Sequence, residues 1–164
     1  MGIIGAVNLE DRVRVLEERQ LVLDTLHAYS HAIDLGDEEG WVDCFTDDGA
    51  FDVRAKVPGY PIQRHQGRKA LAAFIASHTK PPAFQHKHLH VDPKITVTND
   101  RAEAVGYFVH LVDRDHKPAV VSYGRYLDTL TRGADGRWRF VERVAEVHAS
   151  EGSAAVSYGD SRQA

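Results

Sequence analysis

The segment Gln85-His86-Lys87-His88-Leu89-His90-Val91-Asp92-Pro93 carries three histidines and an aspartate at alternate positions. In an extended chain alternate residues share a face, so His86, His88, His90 and Asp92 take one side and Leu89 and Val91 the other. An imidazole titrates near neutrality and both accepts and donates protons, which makes this face a candidate for general acid-base chemistry. Alternation does not say which side is inner. The same pattern fits an exposed polar face with Leu89 and Val91 packed beneath it.

A second set lies upstream at helical spacing. Asp34 continues the stripe Leu16, Gln20, Leu23, His27, which directs its carboxylate inward, where it needs a partner. It falls in the last helical turn, where the macrodipole disfavours negative charge, so a purely structural role is uncomfortable; a solvated aspartate at a frayed helix end is the bland alternative. His27, His31 and Asp34 share a face and, with the alternating histidines, imitate metal-ligand spacing. The stronger zinc motifs are missing, and no metal is expected.

The elements that must position these groups follow from periodicity and breakers. Val13, Leu16 and Leu23, and a second stripe of Val22, Leu26, Tyr29 and Ile33, predict one long helix from Leu9 to near Leu35, closed by Gly36. A short second helix carries Trp41 and Phe45. Asp47, Asp48 and Gly49 turn the chain into a strand at Ala50, Phe51, Asp52 and Val53, and Pro58, Gly59 and Pro61 mark a loop. A third helix runs from Arg68 to about His78, stopped by Pro81 and Pro82. Four β-rich runs follow, Lys87 to Thr98, Ala102 to Val112, Ala119 to Thr131 and Arg137 to Val147, separated by turn residues. Helices first and an antiparallel meander afterwards predict an α+β domain over residues 1–149, its curved sheet wrapped on the long helix around a cavity. Residues 150–164 are small and polar and are expected to form a tail or a flap over that cavity.

Composition narrows the partners. A chain of 164 residues with 43% hydrophobic and 27% charged residues suits one well-filled core. The formal charge of -4 offers nucleic acid no overall positive field. One cysteine, Cys44, excludes an intrachain disulfide and fits a reducing, cytoplasmic compartment. No stretch nears membrane-spanning length, and the apolar start has no basic lead, so neither export nor a membrane partner is expected.

Against this background the order of motifs carries a resemblance. Tyr29-Ser30-His31-Ala32-Ile33-Asp34-Leu35-Gly36-Asp37, then Trp41, Phe45-Thr46-Asp47-Asp48 and Phe51, resembles the opening of the SnoaL-like branch of the NTF2-like superfamily. His88-Leu89-His90-Val91-Asp92-Pro93-Lys94-Ile95 resembles that branch's His-bearing strand, and Gly124-Arg125-Tyr126-Leu127-Asp128 with Gly136-Arg137-Trp138-Arg139-Phe140 resembles its final hairpin. The match covers about residues 10 to 148. Within the branch the chain is most similar to the group of scytalone dehydratase, bile-acid 7α-dehydratase and hexachlorocyclohexane dehydrochlorinase.

The resemblance implies a cone-shaped fold and a cofactor-free lyase acting on a small hydrophobic or polycyclic hydroxy-ketone-like compound. Asp34 and His88 would form the catalytic pair, Tyr29 would donate to a carbonyl oxygen, and His110 would assist the leaving group. The substrate wall is expected from Trp41, Phe51, His90 and Asp92, with Tyr107, Tyr123 and Arg125 beside them. Many relatives have Asn where Asp92 stands, which implies a more acidic pocket here. The same fold also hosts isomerases, polyketide cyclases, dioxygenase β subunits and simple binding proteins. Relatives assemble as trimers or dimers, so a homo-oligomer is expected.

Overall fold

The computed structural model describes residues 8–151, and the expected tail or flap therefore falls, beyond Glu151, outside the described residues. Helix α1, Leu9–Leu35, starts where the Asn8 side chain accepts a hydrogen bond from Asp11 N at 2.8 Å. It stops at Gly36, whose φ of 76° lets its N–H turn back to Ala32 O. The buried face is the stripe Val22, Leu26, Tyr29, Ile33. The other stripe begins in solvent, with Val13 43% and Leu16 63% exposed, ahead of Glu18, which touches the sheet. There the carboxylate accepts from Trp138 Nε1 at 2.9 Å and pairs with Arg132 at 3.0 Å.

Helix α2, Glu38–Asp43, and helix α3, Arg68–Ser77, pack together at one end. The strands are β1 (Phe45–Ala55), β2 (Gln63–Gln66), β3 (His86–Thr98), β4 (Arg101–Arg114), β5 (Lys117–Arg132) and β6 (Trp138–Ser150). Phe45, expected on the second helix, opens β1, and the polar edge strand β2 has no hydrophobic alternation to announce it. The six strands form one sheet in the order β2-β1-β6-β5-β4-β3. Only β1 and β6 run parallel; the other neighbours are antiparallel. Register shifts interrupt the pairing at Val91/Lys94, His110/Leu111, Tyr123/Gly124 and Thr129/Leu130. Each inserted residue bends and twists its strand, which curls the sheet around α1.

The inner face of β4 carries the small residues Ala102, Ala104 and Gly106, then Phe108. Gly106 is needed there, since a Cβ would come within 2.4 Å of His90 Nε2. The outer face leaves Leu89, Val91, Val105, Tyr107, Val120 and Tyr123 exposed. No helix among the described residues is long and apolar enough to cross a membrane.

Candidate active site

Closure of the sheet on α1 decides which face of β3 is inner. His86 and His88 point to the helix, while Leu89 and Val91 are 42% and 37% exposed. Asp34, buried in the last turn of α1, accepts from the His88 main-chain N–H at 3.0 and 3.2 Å and lies 2.8 Å from His88 Nδ1. Burial alone would raise its pKa, but the hydrogen bonds from the His88 ring and backbone outweigh burial and hold it below the usual carboxylate value. A carboxylate can only accept, so His88 Nδ1 donates to Asp34 and Nε2 is the ring nitrogen turned away from it.

His88 sits at one end of a cavity of about 210 Å³. The apolar wall includes Phe51, Phe74, Phe108 and Val147; the polar groups include Tyr29, Tyr126, Ser122, His78, His88 and His110. His110, paired in register with His88 on β4, stacks on it at 4.3 Å with 16° between the rings. Burial, then the neighbouring imidazoles, depress the His110 pKa to about 3, so it is neutral. His86 directs Nε2 to Ile33 O at 3.2 Å and braces the helix end. Tyr29 faces the cavity from α1 and is buried among Trp41, Phe45, Phe51 and Tyr126.

The other expected wall residues are distributed differently. Phe51 lines the cavity, whereas Trp41 is fully buried behind Tyr29 and Phe74, in the seam between α2 and the core. His90 points inward but one layer deeper, with Nδ1 3.5 Å from Arg143 Nη2. Asp92 falls at the β3 register shift, with φ of 50°, and is exposed, because the bulge takes it out of the alternation of His86, His88 and His90. Tyr107 and Tyr123 are 60% and 51% exposed on the outer face, and Arg125 turns outward to Glu146 at 2.7 Å. Side-chain alternation opposite the inward Phe108, Gly124 and Tyr126 puts these three away from the cavity.

Tyr126, Ser122, Phe108 and His78 line the cavity without having been expected there. Tyr126 stands beside Arg125 in the run Gly124-Arg125-Tyr126-Leu127-Asp128, and the small Gly124 two residues before it is the signal that this face is crowded. His78, the residue that ends α3, was legible only as a helix stop.

Of the groups with metal-like spacing, His27 and His31 are exposed and do not converge on Asp34. Asp34, His86 and His88 do gather, with one ligand-type atom from each within 4.8 Å of the others. Their atoms are engaged differently: His86 Nε2 donates to Ile33 O, and His88 Nδ1 donates to Asp34. Untagged protein is expected to carry no stoichiometric metal by elemental analysis. One equivalent of zinc or iron, lost with activity on chelation, would replace the mechanism below with metal-assisted chemistry.

The neutral imidazoles also set a pH dependence. His90 and His110 have pKa values depressed to about 3 from 6.5, chiefly by burial. The unfolded chain binds these protons first, so their stability contribution is complete above pH 6.5 and is lost as pH falls towards 3. Each neutral ring costs about 1.4 kcal/mol per pH unit in that window, before any local opening relieves it. Thermal melts should therefore drop steeply between pH 6.5 and 4.5, and replacing His90 by Gln should flatten the drop.

The fold and site define a cone-shaped α+β protein of the NTF2-like type, with a buried carboxylate-imidazole pair at the end of an aromatic cavity. The sequence matches the SnoaL-like domain over residues 14–144, and the chain belongs to that family. An NTF2-like protein with a cystatin-like fold from Novosphingobium aromaticivorans superposes with a TM-score of 0.74 at 28% identity, covering 93% of this chain and 95% of its own. A Catenulispora acidiphila protein in complex with S-DNPA gives a TM-score of 0.63 at 27% identity, covering 79% and 92%. The β subunit of a putative aromatic-ring-hydroxylating dioxygenase from Novosphingobium aromaticivorans, at 21% identity and TM-score 0.69 over 84% and 92%, shares the fold. No curated protein matches the sequence.

Proposed function

We propose that the protein is a cofactor-free lyase that eliminates water from a small hydroxy-ketone-like compound. The observation that carries this reading is the Asp34–His88 pair, 2.8 Å apart, opening onto an aromatic cavity. His88 Nε2 takes the proton from the carbon beside the substrate carbonyl, and Asp34 stabilises the imidazolium that forms. Tyr29 donates a hydrogen bond to the oxygen on which negative charge develops. His110, kept neutral, offers an N–H hydrogen bond to the leaving hydroxyl rather than a mobile proton. The proton that completes the water molecule is then the one His88 removed, so C–H and C–O bonds break on one face of the substrate.

A cavity of about 210 Å³ is below the ~300–1,000 Å³ of sites for drug-sized ligands, which favours a compound of one or two rings over a four-ring skeleton. The S-DNPA complex of the Catenulispora acidiphila relative supports a ligand-holding cavity. A dioxygenase subunit role has support from the fold alone, and an imidazole oriented by a carboxylate at an aromatic cavity favours chemistry. The test is a panel of mono- and bicyclic hydroxy-ketones, followed by mass spectrometry for loss of water. Turnover by the wild type and none by His88→Ala supports the reading. Binding without turnover across the panel, or an isomerised or cyclised product, replaces it.

The exposed apolar outer face supports a homo-oligomer, with a trimer favoured over a dimer. Light scattering at micromolar concentration should report the assembly, and a monomer there removes this part of the proposal.

A further inference from the structure

One layer beneath the cavity lies an ion pair that the reaction above does not use. Arg143 is fully buried, and its Nε and Nη2 donate to the two carboxylate oxygens of Asp128, each at 2.9 Å. Its guanidinium carbon is 4.1 Å from the ring centre of Tyr29, 4.0 Å from that of Tyr126 and 4.4 Å from that of Phe140. Nη1 has no hydrogen-bond partner. Apolar residues of similar volume would fill this space at less cost, since even a paired buried charge loses its hydration.

The register orients the pair. Inward residues of β5 run Ser122, Gly124, Tyr126, Asp128 from the cavity towards the depth of the cone, and Asp128 stands opposite Arg143 while Tyr126 stands opposite Ala145. The carboxylate therefore occupies the deeper layer. The cation is applied to the two phenol rings that face the cavity, and a cation against the face of a phenol withdraws electron density and makes its O–H a stronger donor.

We propose that Arg143 is a positioning residue that turns Tyr29 and Tyr126 into a pair of strong donors, so that the deep end of the cavity selects a carbonyl, enolate or phenolate oxygen. The proposal deepens the elimination reading, on which it rests for the identity of the reacting group, but what it claims is a binding property. Burial raises the pKa of both phenols, and the Arg143 charge opposes that rise at each; Tyr126, which also has a hydrogen bond with Tyr29, stands at about 12 with both lowering effects in place. The other groups facing the guanidinium are Asp128 and His90, with the Cys44 thiol in its field. Asp34 and His88 lie at the opposite end of the cavity.

The test uses 4-nitrophenol, which reports its own ionisation by visible absorbance, and 4-nitroanisole, which cannot ionise. Wild-type protein should bind nitrophenol and lower its pKa. Replacing the pair together, Arg143→Met with Asp128→Leu, leaves no orphaned charge and should raise the bound probe's pKa by about one unit, a tenfold loss of preference for phenolate. Nitroanisole affinity should not change. Arg143→Lys, which keeps the charge, should retain most of the shift, and Tyr126→Phe should lose it with little further loss on adding the pair replacement. An unchanged probe pKa in the paired variant overturns the proposal, as does equal weakening of both probes or no binding of nitrophenol by the wild type. Absence of turnover on every hydroxy-ketone, with the probe shift intact, would count against the elimination reading alone.

Discussion

His88→Ala and Asp34→Asn should each lower turnover by about 10²- to 10⁴-fold, and the double mutant should be scarcely worse than either single. The reason is geometric: the carboxylate is 2.8 Å from His88 Nδ1 and contributes only through the imidazole it orients. Once the ring is gone, the carboxylate has nothing left to orient. The measurement is a double-mutant cycle on turnover, with thermal melts alongside. Additive losses would mean that the two residues serve separate steps, and full activity in either single mutant would remove that residue from the mechanism. The melts should separate the two singles, because Asp34 also accepts the His88 main-chain N–H. Asn can replace only part of that, so Asp34→Asn should lose about 1–3 kcal/mol, whereas His88→Ala leaves the main-chain bond in place.

The largest effect on stability is expected at the buried ion pair. Removing Arg143 alone leaves Asp128 unpaired in a site it shares with no solvent, and Arg143→Ala should lose about 3–5 kcal/mol together with the packing of three rings. Arg143→Met with Asp128→Leu should restore most of that loss and leave the midpoint of urea unfolding near the wild type. If the paired variant proves as unstable as the single, the aromatic cage rather than the charge pair is what the core depends on.

The order of helices and strands was legible because breakers stand at nearly every junction: Gly36 ends α1, and Asn99-Asp100 and Gly133 to Gly136 separate the strands of the meander. Asp34 and His88 could be named because the motifs around them fall in order. Alternation alone left the inner face of β3 open, and it took α1 docking on that strand to resolve it. The residues misplaced from sequence have separate causes, the β3 bulge at Asp92 among them. On β4 the inner face holds Ala102, Ala104 and Gly106 to leave room for His90, so Tyr107, expected in the substrate wall, lies outside with Val105. Arg143 escaped notice because the register shift at Thr129/Leu130 changes the phase of β6. Counting by twos from Phe140 sends Glu142 inward and Arg143 to solvent, the reverse of the structure.

Asp34 serves two masters, the ring of His88 and the main chain that carries it. A descendant of this protein that gave up chemistry could discard the imidazole freely, yet it would still need the carboxylate to fasten the end of α1 to the start of β3. In such a lineage the aspartate outlasts the histidine. On the proposed elimination, a homologue that keeps Asp34 but lacks His88 should retain the scaffold without the base, so the histidine and not the acid is the residue to compare with activity across relatives.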